Sequence, residues 1–217
     1  MKEEEEKEDD ENCMTFKIIT LGDCYVGKTT LLKKYLTNVF EENTLSTLGM
    51  NILSKKITLK NNKKIKLKFV DTAGTEKYKA LSKQYFKNTD GVLFVFAHNN
   101  TDSFDHIILW MKIFYEEENS NNGKIPKFLV GNKNDLENIV SEKDIKEFLK
   151  KNKYMRYKSV SAKTDDTKIN ELFQELAEQI YKSRGNDYKS TKSHKKIIIN
   201  YNDREKNNNC FLARCMS

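Results

Sequence analysis

The hydrophobic pattern between residues 16 and 181 alternates between short apolar runs and longer segments in which apolar side chains recur every three or four positions. The short runs predict β-strands, and the longer period predicts amphipathic helices. The helical period is plainest at Ile169, Leu172, Phe173, Leu176 and Ile180. Predicted strands cover residues 16–21, 51–59, 64–70, 92–97, 127–131 and 155–160. Predicted helices cover residues 29–36, 79–87, 101–118, 141–150 and 169–181.

The order of these elements predicts the architecture. Strands that alternate with helices are typical of a three-layer α/β domain, in which helices cover both faces of a mainly parallel sheet. Asn61 and Asn62 separate the second and third strands and favour a tight hairpin. We therefore expect a six-stranded, mostly parallel sheet with one antiparallel edge strand. In such a sheet, ligands bind at the carboxyl ends of the strands.

Composition narrows the class of protein. Hydrophobic residues make up 37% of the 217 residues and charged residues 33%. The longest apolar run, residues 92–97, is far shorter than the roughly 20 residues of a membrane-spanning helix. The acidic start of the chain has no apolar stretch, which argues against a secretory signal, and Lys2 argues against myristoylation. We expect a cytoplasmic protein whose four cysteines stay reduced.

Charge divides the chain into three parts. Residues 1–12 carry a net charge of −6, and residues 182–217 carry +6. We predict an acidic extension over 1–13, a folded domain over 14–182 and a basic tail over 183–217. The overall charge of +7 is compatible with nucleic-acid binding, but no zinc-finger, helix-turn-helix or RNA-binding motif accompanies it. The scattered histidines and cysteines do not have the spacing of a metal cage.

A phosphate-binding motif follows the first predicted strand. Residues 22–29 read Gly-Asp-Cys-Tyr-Val-Gly-Lys-Thr and match G-x-x-x-x-G-K-[ST] between a strand and a helix. The glycines let backbone N–H groups surround phosphate oxygens, Lys28 supplies a positive charge, and the Thr29 hydroxyl suits Mg²⁺. The predicted nucleotide-contacting residues of this loop are Asp23, Cys24, Tyr25, Val26, Gly27, Lys28, Thr29 and Thr30.

A carboxylate ends the third predicted strand. Asp71 follows the apolar Val70 and precedes Thr72-Ala73-Gly74. By itself, an Asp after a strand is also typical of an ordinary turn. Because this strand ends at the same sheet edge as the phosphate loop, we predict instead that Asp71 holds Mg²⁺ through water.

Two later motifs predict a guanine pocket. Residues 132–135 read Asn-Lys-Asn-Asp, and residues 161–163 read Ser-Ala-Lys. A carboxylate such as Asp135 can accept hydrogen bonds from both the N1–H and the 2-amino group of guanine, whereas adenine offers no such pair of donors. With both motifs present, the chain resembles a Ras-superfamily small GTPase. The resemblance covers about residues 15–181 and implies the P-loop GTPase fold.

The resemblance assigns roles to the pocket residues. It implies that the Lys133 stem covers the base, that Asn132 braces the pocket, and that the Ala162 N–H meets guanine O6. Phe40 falls where the family stacks an aromatic ring on the base edge. The complete set of base-contacting residues that it implies is Phe40, Asn132, Lys133, Asp135, Ser161, Ala162 and Lys163.

The resemblance also places a switch. Thr47, eighteen residues after Thr29, falls where the family contacts Mg²⁺ and the γ-phosphate only when GTP is bound. The Thr47-Leu48-Gly49 form, the Asn-Lys-Asn-Asp motif, and Ser103-Phe104 followed by Trp110 look most like the Rab branch, which directs vesicle traffic. That branch implies an exchange factor, a GTPase-activating protein, effectors, a GDP-dissociation inhibitor and a prenyltransferase escort. It also implies a monomer on the cytosolic face of a vesicle or organelle.

The catalytic position departs from the Rab pattern. After Gly74, whose N–H is expected to contact phosphate, Rabs have a Gln that orients the attacking water, and this chain has Thr75. A Thr cannot hold that water in the same way, so we predict slow intrinsic hydrolysis. The predicted catalytic set is Lys28, Thr47, Gly74 and Thr75. Two alternatives stay open: another residue positions the water, or the protein is a hydrolysis-deficient, GTP-loaded binding module.

Two further departures concern partners and membranes. Where Rabs present an aromatic effector patch, this chain has Ile52 and Val70 and keeps only Tyr85 aromatic, which predicts different effectors unless these residues merely pack the sheet. Cys215 matches the second cysteine of a C-C-x-x ending, and Cys210 lies nearby. We predict prenylation at Cys215, with Cys210 as a second candidate, assisted by the basic tail.

Overall fold

The computed structural model describes residues 13–42, 50–72, 86–117 and 125–184. These residues form a six-stranded sheet in the order β2-β3-β1-β4-β5-β6. The strands are β1 (Met14–Leu21), β2 (Met50–Thr58), β3 (Lys64–Thr72), β4 (Gly91–Ala97), β5 (Lys127–Asn132) and β6 (Met155–Ser159). The helices are α1 (Lys28–Thr37), α2 (Thr101–Asp105), α3 (Ile107–Glu117), α4 (Glu142–Lys151) and α5 (Asp166–Arg184). No described helix is long and apolar enough to cross a membrane.

The sheet confirms the predicted α/β architecture. All neighbouring strands run parallel except β2, which pairs antiparallel with β3 at the edge. The hairpin between β2 and β3 turns through Asn62, whose φ of 61° lies in the left-handed region that asparagine tolerates. The Leu59 N–H donates to the Lys63 carbonyl across this turn. The six predicted strands therefore lie where the hydrophobic pattern indicated, with ends shifted by at most two residues.

Two hydrophobic layers sandwich the sheet. The central strand β4 is buried along its whole length, so its residues are apolar without alternation. On one face, α1 and α5 pack together through Tyr35 and Phe173, whose ring centroids are 4.0 Å apart. On the other face, Phe104 of α2 and Phe114 of α3 pack against Phe96 and Phe94 of β4. These layers fix the strand ends that carry the candidate site.

The predicted helix over residues 101–118 is wrong in one respect. The structure divides it at His106, giving α2 and α3. His106 has ψ of −10°, and its N–H is shared between the carbonyls of Asp102 and Phe104, so the regular helical pattern is interrupted at this residue. The predicted helices 29–36, 141–150 and 169–181 are present as α1, α4 and α5 with shifted ends. The predicted helix 79–87 lies almost wholly outside the described residues.

Candidate functional site

The loop between β1 and α1 is built on two glycines at which a larger residue would be strained and would clash with its neighbours. Gly22 has φ of 147°, and a Cβ there would lie 2.1 Å from the Val95 carbonyl oxygen of β4. Gly27 has φ of 90°, and a Cβ there would lie 2.4 Å from Asn132 Nδ2. The loop therefore passes against β4 on one side and against the end of β5 on the other.

The loop leads into the amino end of α1. Gly27 occupies the N-cap, has no side chain to satisfy the first N–H groups, and is followed by a first turn without acidic residues. Backbone N–H groups and the helix dipole both favour an anion at such an end. The phosphate-binding geometry predicted for residues 22–29 is thus compatible with the backbone of this loop.

Lys28 lies inside the loop. Its side chain is only 5% exposed, and Nζ donates to the carbonyls of Gly22 at 2.8 Å and Asp23 at 2.7 Å. Burial lowers the pKa of Lys28 to about 8, although Asp71, Cys24 and Asp23 favour the charged form. A buried ammonium group with a lowered pKa gains most from a nearby anion, because the anion offsets its desolvation.

Asp71 and Thr29 form the acidic side of the site. The Thr29 hydroxyl donates to Asp71 Oδ2 at 2.7 Å. Asp71 is fully buried, and its other oxygen, Oδ1, has no hydrogen-bond partner among the described residues. Burial raises the pKa of Asp71, while Thr29 and Lys28 act in the opposite direction.

This pair fits a magnesium ion. A hydroxyl and a carboxylate are hard oxygen donors of the kind that Mg²⁺ binds, and a buried carboxylate oxygen without a partner is costly unless a cation or water satisfies it. The ends of β1 and β3 hold the pair in register: Thr20 Oγ1 donates to the Val70 carbonyl at 3.1 Å, and Thr72 Oγ1 donates to the Thr20 carbonyl at 2.6 Å.

Asn132 joins the phosphate loop to the predicted base pocket. It is 1% exposed, and its Nδ2 donates to the Val26 carbonyl at 2.9 Å. Its Oδ1 accepts from the Ala162 N–H at 3.1 Å. The Ala162 N–H, which the resemblance assigned to guanine O6, therefore donates to Asn132 in this structure. One amide side chain holds loops that are more than a hundred residues apart in sequence.

The loop after β6 is stabilised by its own side chains. Ser161 Oγ accepts from the N–H groups of Lys163 at 3.0 Å and Thr164 at 3.2 Å. The Ser161 N–H donates to Asp165 Oδ2 at 2.9 Å, and Asn134 Nδ2 donates to the same oxygen at 3.1 Å. Burial alone would raise the pKa of Asp165, but the hydrogen bonds from Asn134, Lys168 and Ser161 outweigh it and lower that pKa.

The predicted base-contacting residues line one cleft. Its cavity volume is about 330 Å³. Lys163 Nζ lies 5.9 Å from the centre of the Phe40 ring, and Lys133 occupies a left-handed conformation with φ of 62° at the end of β5. Burial lowers the pKa of Lys133, and Asp135 opposes this. The lining residues are Tyr25, Gly27, Thr30, Phe40, Glu41, Glu42, Asn132, Lys133, Asp135, Leu136, Ser161, Ala162 and Lys163.

Comparison with known proteins identifies the family. Residues 17–182 match the Ras family. The chain belongs to the Ras family.

Three relatives place it within that family. Ras-related protein Rab-11B of Dictyostelium discoideum is 37% identical over 169 residues, which cover 77% of this chain and 74% of that protein. GTP-binding protein ypt3 of Schizosaccharomyces pombe is 34% identical over 177 residues, covering 81% and 80%. Ras-related protein SEC4 of Saccharomyces cerevisiae is 34% identical over 164 residues, covering 76% and 74%. The chain is a Rab-like member of the Ras family, which confirms the resemblance inferred from its motifs.

Asp23 of this Rab-like protein contacts Trp110 of α3 and His106, which immediately precedes α3, and motif analysis assigned neither residue to the site. Trp110 Nε1 donates to Asp23 Oδ1 at 2.7 Å, and His106 Nδ1 lies 2.6 Å from Asp23 Oδ2. The Asp23 side chain therefore points toward α3 and ties the phosphate loop to that helix. The sequence contained Trp110 as a Rab-like feature, but its contact with a residue 87 positions earlier required the fold.

His98 is a second residue that sequence reasoning missed. Its Nε2 lies 2.9 Å from Ser159 Oγ and 3.2 Å from the Tyr157 hydroxyl. Its carbonyl accepts from the N–H of Ile139 at 2.9 Å, and a Cβ at Gly131 would lie 2.4 Å from its ring. Burial lowers the pKa of His98. This imidazole is hydrogen-bonded to β6, which precedes the Ser-Ala-Lys motif, and lies against Gly131 of β5, which precedes the Asn-Lys-Asn-Asp motif.

Several predicted residues cannot be placed. Thr47, Gly74, Thr75, Tyr85, Cys210 and Cys215 lie outside the described residues. Of the predicted effector patch, Ile52 is 54% exposed on β2, whereas Val70, its partner on β3, is 1% exposed and packs in the core. Val70 therefore packs the sheet, which agrees with the alternative interpretation for that position, and only Ile52 of this pair is available to a partner.

Proposed function

We propose that this Rab-like protein is a GTP-binding molecular switch that hydrolyses GTP to GDP and regulates vesicle traffic through GTP-dependent effector binding. The observation that carries the proposal is the joining of two half-sites by Asn132. Its amide holds the phosphate loop through Val26 and the Ser-Ala-Lys loop through Ala162. One ligand with a polyphosphate at one end and a guanine base at the other fits both half-sites together.

The phosphate half of the site would bind the charged part of the nucleotide. The first N–H groups of α1 and the Lys28 ammonium group would bind the β- and γ-phosphates, and Thr29, Asp71 and Thr47 would hold Mg²⁺. When bound, Mg²⁺ neutralises charge on the phosphates. Of these three residues, the structure describes Thr29 and Asp71, and the Thr29 hydroxyl lies 2.7 Å from Asp71 Oδ2. Binding of phosphate would raise the pKa of Lys28 from about 8 toward its ordinary value, since the anion stabilises the ammonium form.

The base half selects guanine. Asp135 is exposed in the cleft, where a carboxylate can accept from two donors of guanine. Adenine would leave this carboxylate facing a base without the matching donors, which costs several orders of magnitude in affinity. Lys133 covers the base with its aliphatic stem, and Phe40 stacks at the base edge.

Hydrolysis is the step at which this chain departs from typical Rabs. Thr75 replaces the Gln that orients the attacking water, so the intrinsic rate is slow. The Gly74 N–H is expected to contact the γ-phosphate, and Thr47 would contact Mg²⁺ and the γ-phosphate only while GTP is bound. A GTPase-activating protein that inserts its own amide side chain would restore the missing group.

The switch acts with partners and at membranes. An exchange factor loads GTP, a GTPase-activating protein promotes hydrolysis, and effectors bind the GTP form. A GDP-dissociation inhibitor and a prenyltransferase escort are further partners.

Prenylation at Cys215, with Cys210 as a second candidate, would anchor the protein to a vesicle or organelle. The basic tail adds up to about 1 kcal/mol for each basic residue that reaches an anionic surface. A Cys215→Ser variant is expected to lose membrane association in cell fractionation, and unchanged membrane association would exclude this anchor.

A second candidate function is a GTP-loaded scaffold that does not hydrolyse its nucleotide. The observation that favours it is Thr75 at the catalytic position. This candidate keeps the same nucleotide site and differs only in the chemical step.

Single-turnover hydrolysis separates the two candidates. The purified full chain and its Thr75→Gln variant are loaded with GTP and Mg²⁺, and bound nucleotide is followed by chromatography, with ATP loading as the control. Slow turnover that rises with Thr75→Gln supports the switch. No turnover in either form favours the scaffold, and retention of ATP in place of GTP would contradict both.

A further inference from the structure

A groove lies between α3 and α4, away from the nucleotide cleft. It has a cavity volume of about 750 Å³. Phe104, Met111 and Phe148 form a buried apolar floor, and Ile108 on its edge is 62% exposed. The groove therefore offers an apolar floor with an exposed isoleucine at its edge, and covering these side chains would remove apolar surface from water.

The charge of the groove is opposite to that of the domain. Its lining includes the carboxylates of Asp105, Glu116, Asp144 and Glu147 but only two lysines. Because the charges of residues 1–12 and 182–217 cancel at −6 and +6, residues 13–181 carry the whole net charge of +7. The groove is thus a locally acidic surface on a basic domain, and it fits a segment that combines cationic and apolar residues.

One segment of the same chain has this composition. Residues 195–199 read Lys-Lys-Ile-Ile-Ile and lie in the basic tail. The other charged extension, residues 1–12, carries eight acidic residues and would be repelled. We propose that residues 195–199 dock in the groove between α3 and α4, with the isoleucines over the apolar floor and Lys195 and Lys196 beside the carboxylates.

Contacts at the amino ends of the strands show that the tail begins near the groove. Arg184, the last residue of α5, pairs with Asp90 at 2.9 Å, immediately before β4. In β4, Val92 lies beside Lys127 of β5, and Lys127 Nζ is 5.7 Å from the ring centre of Tyr115, which lines the groove. Neighbouring strands are about 5 Å apart, so the start of the tail lies within a few such spacings of the groove.

The tail is long enough for this path. About 13 residues separate Arg184 from the first isoleucine of the segment, and an extended chain of that length spans roughly 40 Å. Docking would hold Lys195 and Lys196 away from an anionic membrane and so compete with tail-assisted membrane binding. Only this consequence rests on the proposed function; the docking itself is independent of nucleotide and of hydrolysis.

The test is photocrosslinking in the full chain. A benzophenone amino acid replaces Ile198, and light-activated products are mapped by mass spectrometry in an equal mixture of isotopically heavy and light protein. We expect cross-links within one chain to peptides that contain Met111, Tyr115 or Phe148. The double variant Glu116→Lys with Glu147→Lys should lower their yield about tenfold, because attraction at each site becomes repulsion.

Exchanging the charges of the groove and the tail segment makes the test specific to this pair of surfaces. Adding Lys195→Glu and Lys196→Glu to the groove variant should restore the cross-links, while Glu171→Lys, an exposed change on α5 at the opposite face, should leave them unchanged. Circular dichroism confirms that each variant is folded. Cross-links between heavy and light chains would show that a second copy occupies the groove and would overturn the proposal. Cross-links elsewhere, or a yield indifferent to the groove charges, would overturn it as well.

Discussion

The phosphate half and the base half of the cleft differ in how their buried polar groups are satisfied. In the phosphate half, Lys28 is a buried cation with a lowered pKa, and Asp71 keeps one carboxylate oxygen without a hydrogen-bond partner among the described residues. In the base half, the Asn132 amide is paired with the backbone of Val26 and Ala162, and the Ser161 N–H donates to Asp165 Oδ2. The phosphate half therefore depends on its ligand to offset the cost of burying charge, whereas the base half is preformed.

This difference predicts opposite behaviour on substitution. Changes in the phosphate half should act mainly on ligand affinity and its dependence on pH. Changes in the hydrogen-bonded frame of the base half should act on the stability of the nucleotide-free protein. Asp135, which is exposed in the cleft, should affect affinity alone.

The largest expected effect is on nucleotide selection. Asp135→Ala should lower the affinity for GDP by about a thousandfold, because the two guanine donors lose their acceptor, and should leave the melting temperature of the nucleotide-free protein unchanged. Displacement of a fluorescent GDP analogue measures the affinity. Glu137→Ala, an exposed carboxylate two residues further along, is the matched control. Equal effects of the two variants would argue against a role for Asp135 in the pocket.

The next effect is a pH dependence that belongs to Lys28. In the free protein its pKa is lowered to about 8, so above that pH the amine is neutral and must take up a proton to bind phosphate. Affinity for GDP should therefore fall about tenfold per pH unit above about 8. The comparison variant is Lys28→Arg, because arginine stays charged over this pH range. The pH dependence that remains in the variant then measures the contribution of guanine ionisation. The same pH profile in both proteins would contradict the assignment.

A smaller effect tests the preformed frame. Asn132→Ala removes a buried amide and leaves the Val26 carbonyl and the Ala162 N–H without their partner. Nucleotide-free protein should lose about 2 kcal/mol in its free energy of unfolding, measured by urea denaturation. Asn134→Ala, also in the frame but only partly buried, should cost less. If Asn132→Ala unfolds at the same urea concentration as wild type, the two half-sites are not coupled through this residue.

The smallest effect concerns His98. Burial holds the pKa of this imidazole below its ordinary value of 6.5, so the unfolded chain binds a proton more readily than the folded one. The stability that neutral His98 contributes is present above pH 6.5 and is lost as the pH falls through the lower pKa of the folded state. Urea denaturation between pH 7.5 and 5.5 should show this loss in wild type and a shallower loss in His98→Gln. If stability falls in parallel in the two proteins, His98 is not the source of this pH dependence.

Much of the fold could be predicted because its signals are local. The apolar runs of β1 and β4–β6 and the period of α5 depend on burial against neighbours that are always present in this architecture. The break at His106 escaped prediction, since an interruption of a single residue leaves the apolar period of residues 101–118 almost unchanged. The end of β3 was predicted too early because Asp71 and Thr72 are polar, yet both still pair with β2.

The residues of the candidate site also divide into those that the sequence predicts and those that only the fold reveals. Lys28, Asp71, Asn132 and Ser161 belong to contiguous motifs whose spacing carries the chemistry, so sequence alone could place them. The contacts of His98 with Ser159, of Trp110 with Asp23 and of Asp165 with Asn134 join residues that only the fold brings together. Asp165 had one local signal, its position four residues after Ser161, which suits a side chain that accepts from the Ser161 N–H.

The most direct test of the central claim is a competition between GTP and ATP for the purified full chain, with and without Mg²⁺. Loaded fluorescent GDP is displaced by each nucleotide, first with Mg²⁺ and then with a chelator. The account predicts that GTP displaces it at concentrations at least about a thousandfold lower than ATP, and that removing Mg²⁺ weakens GTP binding strongly. Equal displacement by ATP would contradict the guanine pocket, and indifference to Mg²⁺ would contradict the site formed by Thr29 and Asp71.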